Sequence, residues 1–293
     1  MKNIIVITGG AGFIGTNLIK RLIKKKKIEI ISIDNYSTGK KSNHIIDQRI
    51  RYIKGHTKNI SKILEPYKKK IKVIFHFGEF SRIYQSFLKM SDCIDSNTIG
   101  TNNVLAFCLK NKIKLIYSAT SATIGNNGMD KNLSPYAFTK AKNLEMLDNF
   151  KKWFGFKFEI IYFYNVYGPF QICKGDMATV IGIFESQYLA KRPLTVVKPG
   201  TQSRRFTHIR DTIDTCIFAF TKNKNRHYSI SSKSSYSILE IAKMFGTKIK
   251  LLPERKGERN VSAITKNFLS NKVHTRYGKI DIKDYIKTFI KNH

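Results

Sequence analysis

The chain has 293 residues, of which 42% are hydrophobic and 25% charged, a composition that excludes a disordered tail, a collagen-like fibre and a disulfide-stapled miniprotein. Its 53 lysines and arginines against 20 acidic residues give a formal net charge of +33, but they are spread along the chain, which favours a solvated surface over a nucleic-acid site. The four cysteines form no CxxC pair and no apolar run could span a bilayer, so we expect a cytoplasmic protein without a zinc site or membrane insertion.

Short apolar runs and amphipathic stretches alternate along the first half of the chain. The runs predict buried strands and the stretches predict helices, because the two kinds of element have different apolar periods. Strands that alternate with helices indicate an α/β fold with a parallel sheet covered on both faces. The predicted strands are 4–7, 28–33, 73–76, 114–117 and 158–162, and the predicted helices are 13–23, 61–67, 94–109 and 136–153.

The pattern becomes irregular after about residue 168. We therefore expect a large N-terminal α/β domain, residues 1–168, and a smaller C-terminal lobe, residues 169–293, from which some chain returns to the first domain. The cleft between two such lobes is a usual ligand site. Elements predicted in the second part are helices 178–189, 238–244 and 282–290, strands 194–197, 227–230 and 248–252, and a turn at Pro199-Gly200.

The first predicted strand runs directly into TGGAGFIG, residues 8–15, and a helical pattern follows. The glycines satisfy both G-x-G-x-x-G and the variant G-x-x-G-x-x-G. Glycines at this spacing form a tight turn, let the backbone approach a pyrophosphate and let the helix pack on the strand, while the helix N-terminus attracts the phosphates. The loop residues expected to contact a dinucleotide are Gly9, Gly10, Gly12, Phe13, Ile14 and Gly15.

Asp34 ends the second predicted strand, about 20 residues after the glycine loop, as the dinucleotide fingerprint requires. Its carboxylate would accept hydrogen bonds from the hydroxyl groups of the adenine ribose and would repel a 2′-phosphate. We therefore expect NAD rather than NADP as the cofactor. Lys40 and Lys41 lie close enough in sequence to weaken that preference.

Tyr136 and Lys140 lie four residues apart at the start of the long helical pattern 136–153, so they share one face of the helix. A free tyrosine titrates near pH 10 and is a poor base at neutral pH. A nearby ammonium group, together with a positive nicotinamide ring, would favour the phenolate and lower the pKa of Tyr136. This predicts a general base suited to a sugar hydroxyl.

A run of small hydroxyl residues, 118–123, follows the predicted strand 114–117. The carboxyl ends of parallel strands border the ligand crevice, so one of these hydroxyls could hydrogen-bond the reacting oxygen. The alternative is a loop whose serines and threonines satisfy their own backbone.

Further motifs complete the pattern, and with them the chain resembles the extended short-chain dehydrogenase/reductase family, in particular its nucleotide-sugar epimerases. The resemblance covers nearly the whole chain. It implies a Rossmann-type doubly wound parallel sheet with a smaller C-terminal α/β substrate lobe. The motifs are TGGAGFIG (8–15), DNYSTG (34–39), HFGEF (76–80), NTIGT (97–101), YSATSATIG (117–125), SPYAFTK (134–140), NVYGP (165–169) and TQSRRFTHIRD (201–211).

The resemblance implies roles for single residues around the reaction centre. Thr120 takes the place of the family's catalytic Ser/Thr, and Tyr136 with Lys140 matches its Tyr-x-x-x-Lys motif. Phe77 and Gly78 match a stretch whose backbone lines the NAD.

The resemblance also implies residues that bind the substrate. Asn97 matches a structural asparagine behind the active site, and Asn165 matches one that contacts the sugar nucleotide. Arg204 would grip the diphosphate through its bidentate fork, although Arg205 stands where the family has an aspartate. Arg259 is a weaker match to a second phosphate-binding arginine.

In this family the tyrosine removes a hydroxyl proton while hydride passes to NAD, which leaves a keto sugar. Dehydratases and decarboxylases place a carboxylate just after the catalytic Ser/Thr, whereas here Ser121 and Ala122 follow Thr120. We therefore expect an epimerase of a nucleotide-diphosphate sugar, in the first place a UDP-hexose 4-epimerase. Lys174, in KGDMA (174–178), resembles a second base of the ADP-glycero-manno-heptose 6-epimerases, so that reaction, or another dehydratase or reductase of sugar nucleotides, stays open.

The expected partner, besides the nucleotide-sugar substrate, is a second copy of the chain. In the resembled family the helices that correspond to 94–109 and 136–153 pair into a four-helix bundle between subunits. A nucleic-acid-binding protein on the same fold is the alternative that the positive charge suggests. The retained pair Tyr136 and Lys140 speaks against it.

Overall fold

The computed structural model describes residues 3–222, 224–257 and 273–293 of the chain. Within these ranges the chain forms both long strands and several two-residue strands. In chain order they are β1 (Asn3–Thr8), β2 (Ile28–Asp34), β3 (Ile50–Lys54), β4 (Ile71–His76), β5 (Lys114–Thr120), β6 (Phe158–Phe163), β7 (Val166–Tyr167), β8 (Leu194–Val197), β9 (Ser203–Arg204), β10 (Thr207–His208), β11 (His227–Ser231), β12 (Tyr236–Ser237), β13 (Ile249–Leu252) and β14 (Val273–Tyr277).

The helices vary from a single turn to 20 residues. Short 3-10 segments and one π-helical segment lie between them. The α-helices are α1 (Phe13–Leu22), α2 (Ile60–Leu64), α3 (Ile83–Leu88), α4 (Met90–Ile94), α5 (Thr101–Lys110), α6 (Pro135–Phe154), α7 (Val180–Leu189), α8 (Ile209–Thr221), α9 (Ile238–Met244) and α10 (Ile282–Lys291).

Eight strands form one sheet in the order β14-β11-β6-β5-β4-β1-β2-β3. Every neighbouring pair in it is parallel. The chain moves outward from β1 to one edge through β2 and β3, then returns to β4 and builds the other half. This reversal of direction is the doubly wound arrangement that was expected, and it places the ligand crevice at the carboxyl ends of β1 and β4.

Both faces of this sheet are covered, which explains the nearly continuous apolar runs of its strands. On one face Val6 and Leu115 join a core with residues of α2, α5 and α6. On the other face Ile5 and Ile7 pack with residues of α1 and α8. Alternate residues of β1 therefore point into two different cores.

Part of the C-terminal half returns to the main sheet. Helix α8 covers it through apolar residues of one face, and β11 and β14 extend its edge. Neither α8 nor β3 was predicted. In α8 the threonines, aspartates and cysteine are weak helix formers, so packing on the sheet decides its conformation, and β3 is an edge strand whose residues are only partly buried.

The predicted helix 94–109 is interrupted in the structure. It consists of α4, a π-helical segment (Asp95–Gly100) and α5. A Cβ at Gly100 would lie 2.2 Å from Oγ1 of Thr57, so the backbone packs closely there. The π segment turns Asn97 into the protein, where it is fully buried.

The remaining elements form a smaller lobe with its own core. Phe184 of α7 and Phe245 pack against β8 and α10. Strand β8 pairs in parallel with β13, β7 pairs in parallel with β10, and β9 pairs in antiparallel with β12. Within the described ranges, no helix is both long and apolar enough to cross a membrane.

Candidate active site

The glycine loop between β1 and α1 is packed so closely that only glycine fits at two positions. A Cβ at Gly15 would lie 2.2 Å from the carbonyl oxygen of Gly9, and a Cβ at Gly9 would lie 2.8 Å from the carbonyl group of Phe77. Gly12 begins α1, and the nearest atom to a Cβ there is the Gly9 carbonyl oxygen, at 3.2 Å. A helix N-terminus behind an open glycine is the cradle that a pyrophosphate requires.

Asp34 lies at the carboxyl end of β2 and faces this loop. Its carboxylate accepts hydrogen bonds from the backbone N–H of Ala11 at 3.0 Å and of Tyr36 at 2.8 Å. A Cβ at Gly39 would lie 2.8 Å from the same carboxylate, so a glycine is needed where the following loop folds back. Burial raises the pKa of Asp34, and the two N–H donors oppose that rise. The site thus has the acidic group expected beside an adenine ribose.

Phe77 and Gly78 follow β4 and lie against the glycine loop. The hydroxyl of Thr8 accepts hydrogen bonds from both of their N–H groups, at 3.1 and 3.0 Å. A Cβ at Gly78 would lie 2.9 Å from the backbone nitrogen of Gly9. The ends of β1 and β4 are therefore joined at the crevice, and their residues fit a bound dinucleotide.

The predicted base and lysine lie on the first two turns of α6. Ser134 caps this helix by accepting a hydrogen bond from the N–H of Ala137 at 3.1 Å, and Pro135 stands at its first position. The N–H of Tyr136 donates to the hydroxyl of Ser86, at 3.2 Å. Tyr136 and Lys140 are both buried.

Thr120 ends β5 and is buried as well, with 8% of its surface exposed. Its hydroxyl accepts a hydrogen bond from the N–H of Ala122 at 3.2 Å. Ala122 packs in one apolar cluster with Tyr136, so the carboxyl end of β5 adjoins the start of α6. Thr120 thus satisfies its own loop, as the alternative interpretation expected, and a hydrogen bond from Thr120 to the reacting oxygen stays a prediction.

A carboxylate that the sequence analysis missed lies within this group. Glu79 follows β4, its side chain is 2% exposed, and it forms an ion pair with Lys140, whose side chain is 4% exposed. The ammonium group also donates to the carbonyl oxygen of Ser118 at 2.6 Å. Burial lowers the pKa of Lys140, and the Glu79 carboxylate raises it. Neutral donors to the Glu79 carboxylate are Thr101 at 2.9 Å, Tyr117 at 3.0 Å and Asn143 at 3.3 Å. The hydroxyl of Ser118 donates instead to the carbonyl oxygen of His76, at 2.9 Å.

A buried chain of hydrogen bonds connects Glu79 to the end of β1. Thr8 uses its lone pairs for two backbone N–H groups, so its hydroxyl donates to Nδ1 of His76, at 2.7 Å. Nε2 of His76 then carries the proton and donates to Thr101 at 2.9 Å, and Thr101 donates to Glu79. Burial lowers the pKa of His76 to about 4, so the ring is neutral at pH 7.

Asn97 holds the loop after β4 from behind. Its side-chain oxygen accepts a hydrogen bond from the N–H of Phe80 at 2.6 Å, and its amide group donates to the carbonyl of Phe80 at 3.2 Å. The same amide donates to Thr139 of α6, at 3.2 Å. This geometry agrees with the structural role that the resemblance implied.

Arg82 is a second residue that the sequence analysis missed. It precedes α3, and its guanidinium donates two hydrogen bonds, at 2.9 and 2.6 Å, to the carbonyl oxygen of Met177 in the smaller lobe. Burial lowers the pKa of Arg82, and a charged Tyr136 would oppose that shift. The position of Glu79 and Arg82 just after a parallel strand was the signal available in the sequence.

Of the predicted substrate-binding residues, the structure describes Asn165 and Arg204. Asn165 has a φ of 34°, which asparagine tolerates better than most residues, and its amide donates to the carbonyl of Arg205 at 2.9 Å. The Arg205 guanidinium donates to backbone carbonyls at 232–233. Arg204 is buried in β9, with 7% of its surface exposed. Arg259 lies outside the described residues. The substrate roles of Asn165, Arg204 and Arg259 stay predictions.

Lys174 lies on the loop that precedes α7. It lines two adjoining grooves of the smaller lobe together with Cys173, Ser186 and Arg192. Among the described residues that line these grooves, none is a predicted catalytic residue of the first domain. A role of Lys174 as a second base stays a prediction. The described part of the chain contains no cluster of three histidine, cysteine or acidic side chains that could hold a metal ion.

Comparisons with known proteins agree with this geometry. A model of the NAD dependent epimerase/dehydratase family matches residues 5–231. The chain is 30% identical over 254 residues to an ADP-L-glycero-D-manno-heptose-6-epimerase of Brachyspira hyodysenteriae, covering 82% of this chain and 79% of that protein. It is 28% identical over 255 residues to UDP-glucuronic acid decarboxylase 3 of Arabidopsis thaliana, covering 81% and 72%.

The fold has solved counterparts as well. A UDP-glucuronic acid 4-epimerase from Bacillus cereus, in complex with UDP-glucuronic acid and NAD, superimposes with a TM-score of 0.83 at 26% identity and covers 99% of each chain. The resemblance inferred from the sequence motifs and the predicted fold class are therefore confirmed. The chain belongs to the NAD-dependent epimerase/dehydratase family.

Proposed function

We propose that the chain is an NAD-dependent epimerase of a nucleotide-diphosphate sugar, and specifically a UDP-hexose 4-epimerase that acts through a transient 4-keto sugar. The supporting observation is the arrangement of Thr120, Tyr136 and Lys140. All three are buried where β5 and α6 border the crevice beside the glycine loop. Membership of the NAD-dependent epimerase/dehydratase family supports NAD-dependent chemistry, and the 4-epimerase named above supports epimerisation at this position of the sugar.

The residues of the crevice fit NAD. The first turn of α1 would bind the pyrophosphate, Asp34 the adenine ribose, and the backbone at Phe77 and Gly78 the remainder of the dinucleotide. Bound NAD would accept a hydride from the sugar and return it. We propose NAD rather than NADP because the Asp34 carboxylate would lie against a 2′-phosphate.

The protein's own groups would handle the proton. Tyr136 would take it from the sugar hydroxyl and later return it, while Thr120 would hydrogen-bond the same oxygen. The Lys140 ammonium, one helical turn from Tyr136, would favour the phenolate over the phenol. The cleft between the lobes would orient the sugar and exclude water from the keto intermediate.

The residues after Thr120 favour epimerisation over loss of water or carbon dioxide. Elimination needs an added acid or base close to the reacting carbons, and Ser121 and Ala122 cannot serve as one. The Glu79 carboxylate does reach the site from β4, but it is buried and bound to Lys140. It is therefore poorly placed to act on the substrate.

An ADP-heptose 6-epimerase is the second candidate, because a protein of that name is 30% identical to this chain. In that reaction Lys174 would serve as a second base. Replacement of Lys174 by alanine would then abolish activity, whereas a 4-epimerase with Tyr136 as its base would keep it.

The test of function is proton NMR of the sugar anomeric signals after the protein and NAD are added to separate tubes of UDP-glucose, UDP-N-acetylglucosamine, UDP-glucuronic acid and ADP-heptose. Signals of a 4-epimer in a UDP tube would support the proposal and identify the sugar. Conversion of the heptose alone would replace it with the second candidate. A pentose product from UDP-glucuronic acid would contradict epimerisation.

We also propose that the protein is a cytoplasmic homodimer. Large apolar side chains are exposed along the faces of α4, the π segment and α6. Their burial against a second copy would remove apolar surface from water.

The cytoplasmic location is proposed because the four cysteines are free, which suits a reducing compartment. The dimer has a direct test. Light scattering after gel filtration would measure the mass, and a monomer would contradict the dimer. The exposed apolar residues of these faces are Met90 (54%), Ile94 (40%), Ile99 (46%), Phe138 (47%), Trp153 (64%) and Phe154 (57%).

A further inference from the structure

The predicted catalytic lysine is enclosed in the protein instead of standing free in the crevice. Its ammonium group is held by the Glu79 carboxylate on one side and by the carbonyl oxygen of Ser118 on another. Taking a lysine ammonium out of water costs free energy unless an opposite charge accompanies it. The question that follows is what keeps Lys140 charged at this position.

We propose that Glu79 is a positioning residue of the reaction, which keeps the buried Lys140 protonated and holds its ammonium group at one place beside Tyr136. This inference rests on the proposed roles of Tyr136 and Lys140 and deepens them. It adds a residue that the family motifs of the sequence did not single out.

The surroundings of Glu79 fix the position of its carboxylate. Besides Lys140, three neutral donors point at the carboxylate, one each from α5, β5 and α6. The donor from Thr101 is aligned in turn by the neutral ring of His76. A carboxylate accepts hydrogen bonds, so this set of donors holds its oxygens in place beside the Lys140 ammonium.

The other titratable groups around the pair leave Glu79 as the carboxylate that compensates Lys140. His76 is neutral because burial lowers its pKa to about 4. Burial raises the pKa of the Cys93 thiol and of the Tyr117 phenol, so both are uncharged at pH 7. Arg82, at the start of α3, carries the same sign as Lys140 and so does not compensate it.

The sign of the effect follows. Burial lowers the pKa of Lys140 and Glu79 opposes this, so removal of the Glu79 charge lets that pKa fall further. Glu79→Gln should therefore move the alkaline limb of the kcat/KM profile to lower pH by about one unit or more. Activity on the acid side of the limb should be retained, because there the lysine is still protonated.

The experiment compares pH profiles of kcat/KM for the wild-type protein, Glu79→Gln and Glu79→Asp on the sugar identified by NMR. The shorter aspartate keeps the negative charge but lies farther from Lys140, so the alkaline limb of Glu79→Asp should lie between those of the other two proteins. If Glu79→Gln does not fold, the comparison of Glu79→Asp with the wild type still tests the proposal. Equal loss of kcat/KM at every pH in both variants, with an unmoved alkaline limb, would overturn the proposal.

Glu159→Gln is the matched control. Glu159 is fully buried and pairs with Lys114 at 3.3 Å at the start of β5, about 20 Å along the strand from Thr120. Loss of this ion pair should lower the free energy of unfolding without moving the alkaline limb of the kcat/KM profile. A limb that moves equally in Glu159→Gln would assign the effect to general loosening and would contradict a role of Glu79 beside Tyr136.

A measurement without substrate separates this inference from the proposed function. In Glu79→Gln the unfolded chain binds a proton at Lys140 that the folded protein has released, so the free energy of unfolding should rise with pH from a lower pH than in the wild type. The rise should vanish in Glu79→Gln/Lys140→Met. Urea unfolding between about pH 6 and pH 10 spans the window in which lysine titrates. Parallel curves for the wild type and Glu79→Gln would refute the inference even if no sugar is turned over.

Discussion

Two buried side chains support the predicted pair Tyr136 and Lys140 at the scale of single residues. Glu79 pairs with Lys140, and His76 aligns a hydrogen-bond donor to Glu79. Glu79 and His76 come from the end of β4 and the segment that follows it, whereas the tyrosine and lysine come from α6. The reacting groups are thus embedded in a set of buried polar side chains whose hydrogen bonds are satisfied. Such a network fixes geometry, because a buried polar group without a partner would be costly.

Replacement of Tyr136 by phenylalanine removes the predicted base and keeps its ring. We expect kcat/KM to fall roughly a hundredfold or more, since a positioned base contributes about that much. NAD binding, measured by isothermal titration calorimetry, should stay within a few-fold of the wild-type protein. Turnover at the wild-type rate would show that another group removes the proton.

His76 predicts a pH dependence of stability. Its pKa in the folded protein is about 4, below the value of about 6.5 expected in the unfolded chain. The unfolded chain therefore binds more protons between these values, and stability should decrease as the pH falls from about 6.5 towards 4, by about 3 kcal/mol in full. In His76→Asn this part of the decrease should be absent, so that its urea-unfolding curve against pH is flatter. Equal slopes in both proteins would contradict the neutral buried ring.

At the scale of elements, the site depends on where strands end and helices begin. Strands β1, β4 and β5 end at the crevice, and α1 and α6 begin there. The π-helical segment before α5 turns Asn97 towards the loop that carries Glu79. Small changes at these element ends should therefore alter function more than equal changes elsewhere.

Ser134 provides a test at this scale, because it caps the helix whose first turn carries Tyr136. Ser134→Ala should cost about 1 kcal/mol of stability and should also lower kcat/KM, since the first turn of α6 would fray. Ser237→Ala removes the cap of α9, in the smaller lobe. It should cost a similar amount in urea unfolding and leave kcat/KM unchanged. If both variants lose kcat/KM equally, the cap of α6 has no special role.

At the scale of the whole molecule, two features bear on substrate binding: the contact between the two lobes and the net charge of +33. Arg82 connects the lobes by its hydrogen bonds to Met177, beside the predicted base. The charge is distributed over the surface, and its field attracts anions of every kind. A nucleotide-diphosphate sugar is such an anion.

The charge predicts a salt dependence of catalysis. Raising the salt from about 20 mM to about 300 mM should lower kcat/KM several-fold while kcat changes little, because screening weakens the attraction of an anionic substrate before it binds. Steady-state kinetics at several salt concentrations would measure this. An unchanged kcat/KM would show that the charge does not assist substrate capture. A specific nucleic-acid complex that survives at the higher salt would favour the alternative function.

Much of the fold follows from local features of the sequence. Apolar runs predicted β1, β2, β4, β5 and β6, and the strand 194–197 and the helix 238–244 occur with the predicted bounds. The glycine loop, Asp34 and the pair Tyr136 and Lys140 could also be recognised, because their chemistry depends on short spacings within one turn or one helix face. Each of these features depends on residues that are close together in the chain, so it can be recognised from the sequence.

The tertiary structure decided what depends on distant residues. Helix α8, β11 and β14 complete the main sheet from the C-terminal half. Strand 227–230 was predicted but its place in the sheet was not, and α8 forms because burial on the open face of the sheet outweighs its weak helix preference. Glu79 and Lys140 are 61 residues apart, and only the packing of α6 against the end of β4 brings their charges together. The sequence alone predicted five strands of the sheet, the dinucleotide loop and the pair Tyr136 and Lys140. Which carboxylate compensates the buried lysine was decided by the fold, since a charge removed from water takes its partner from whatever packing places beside it.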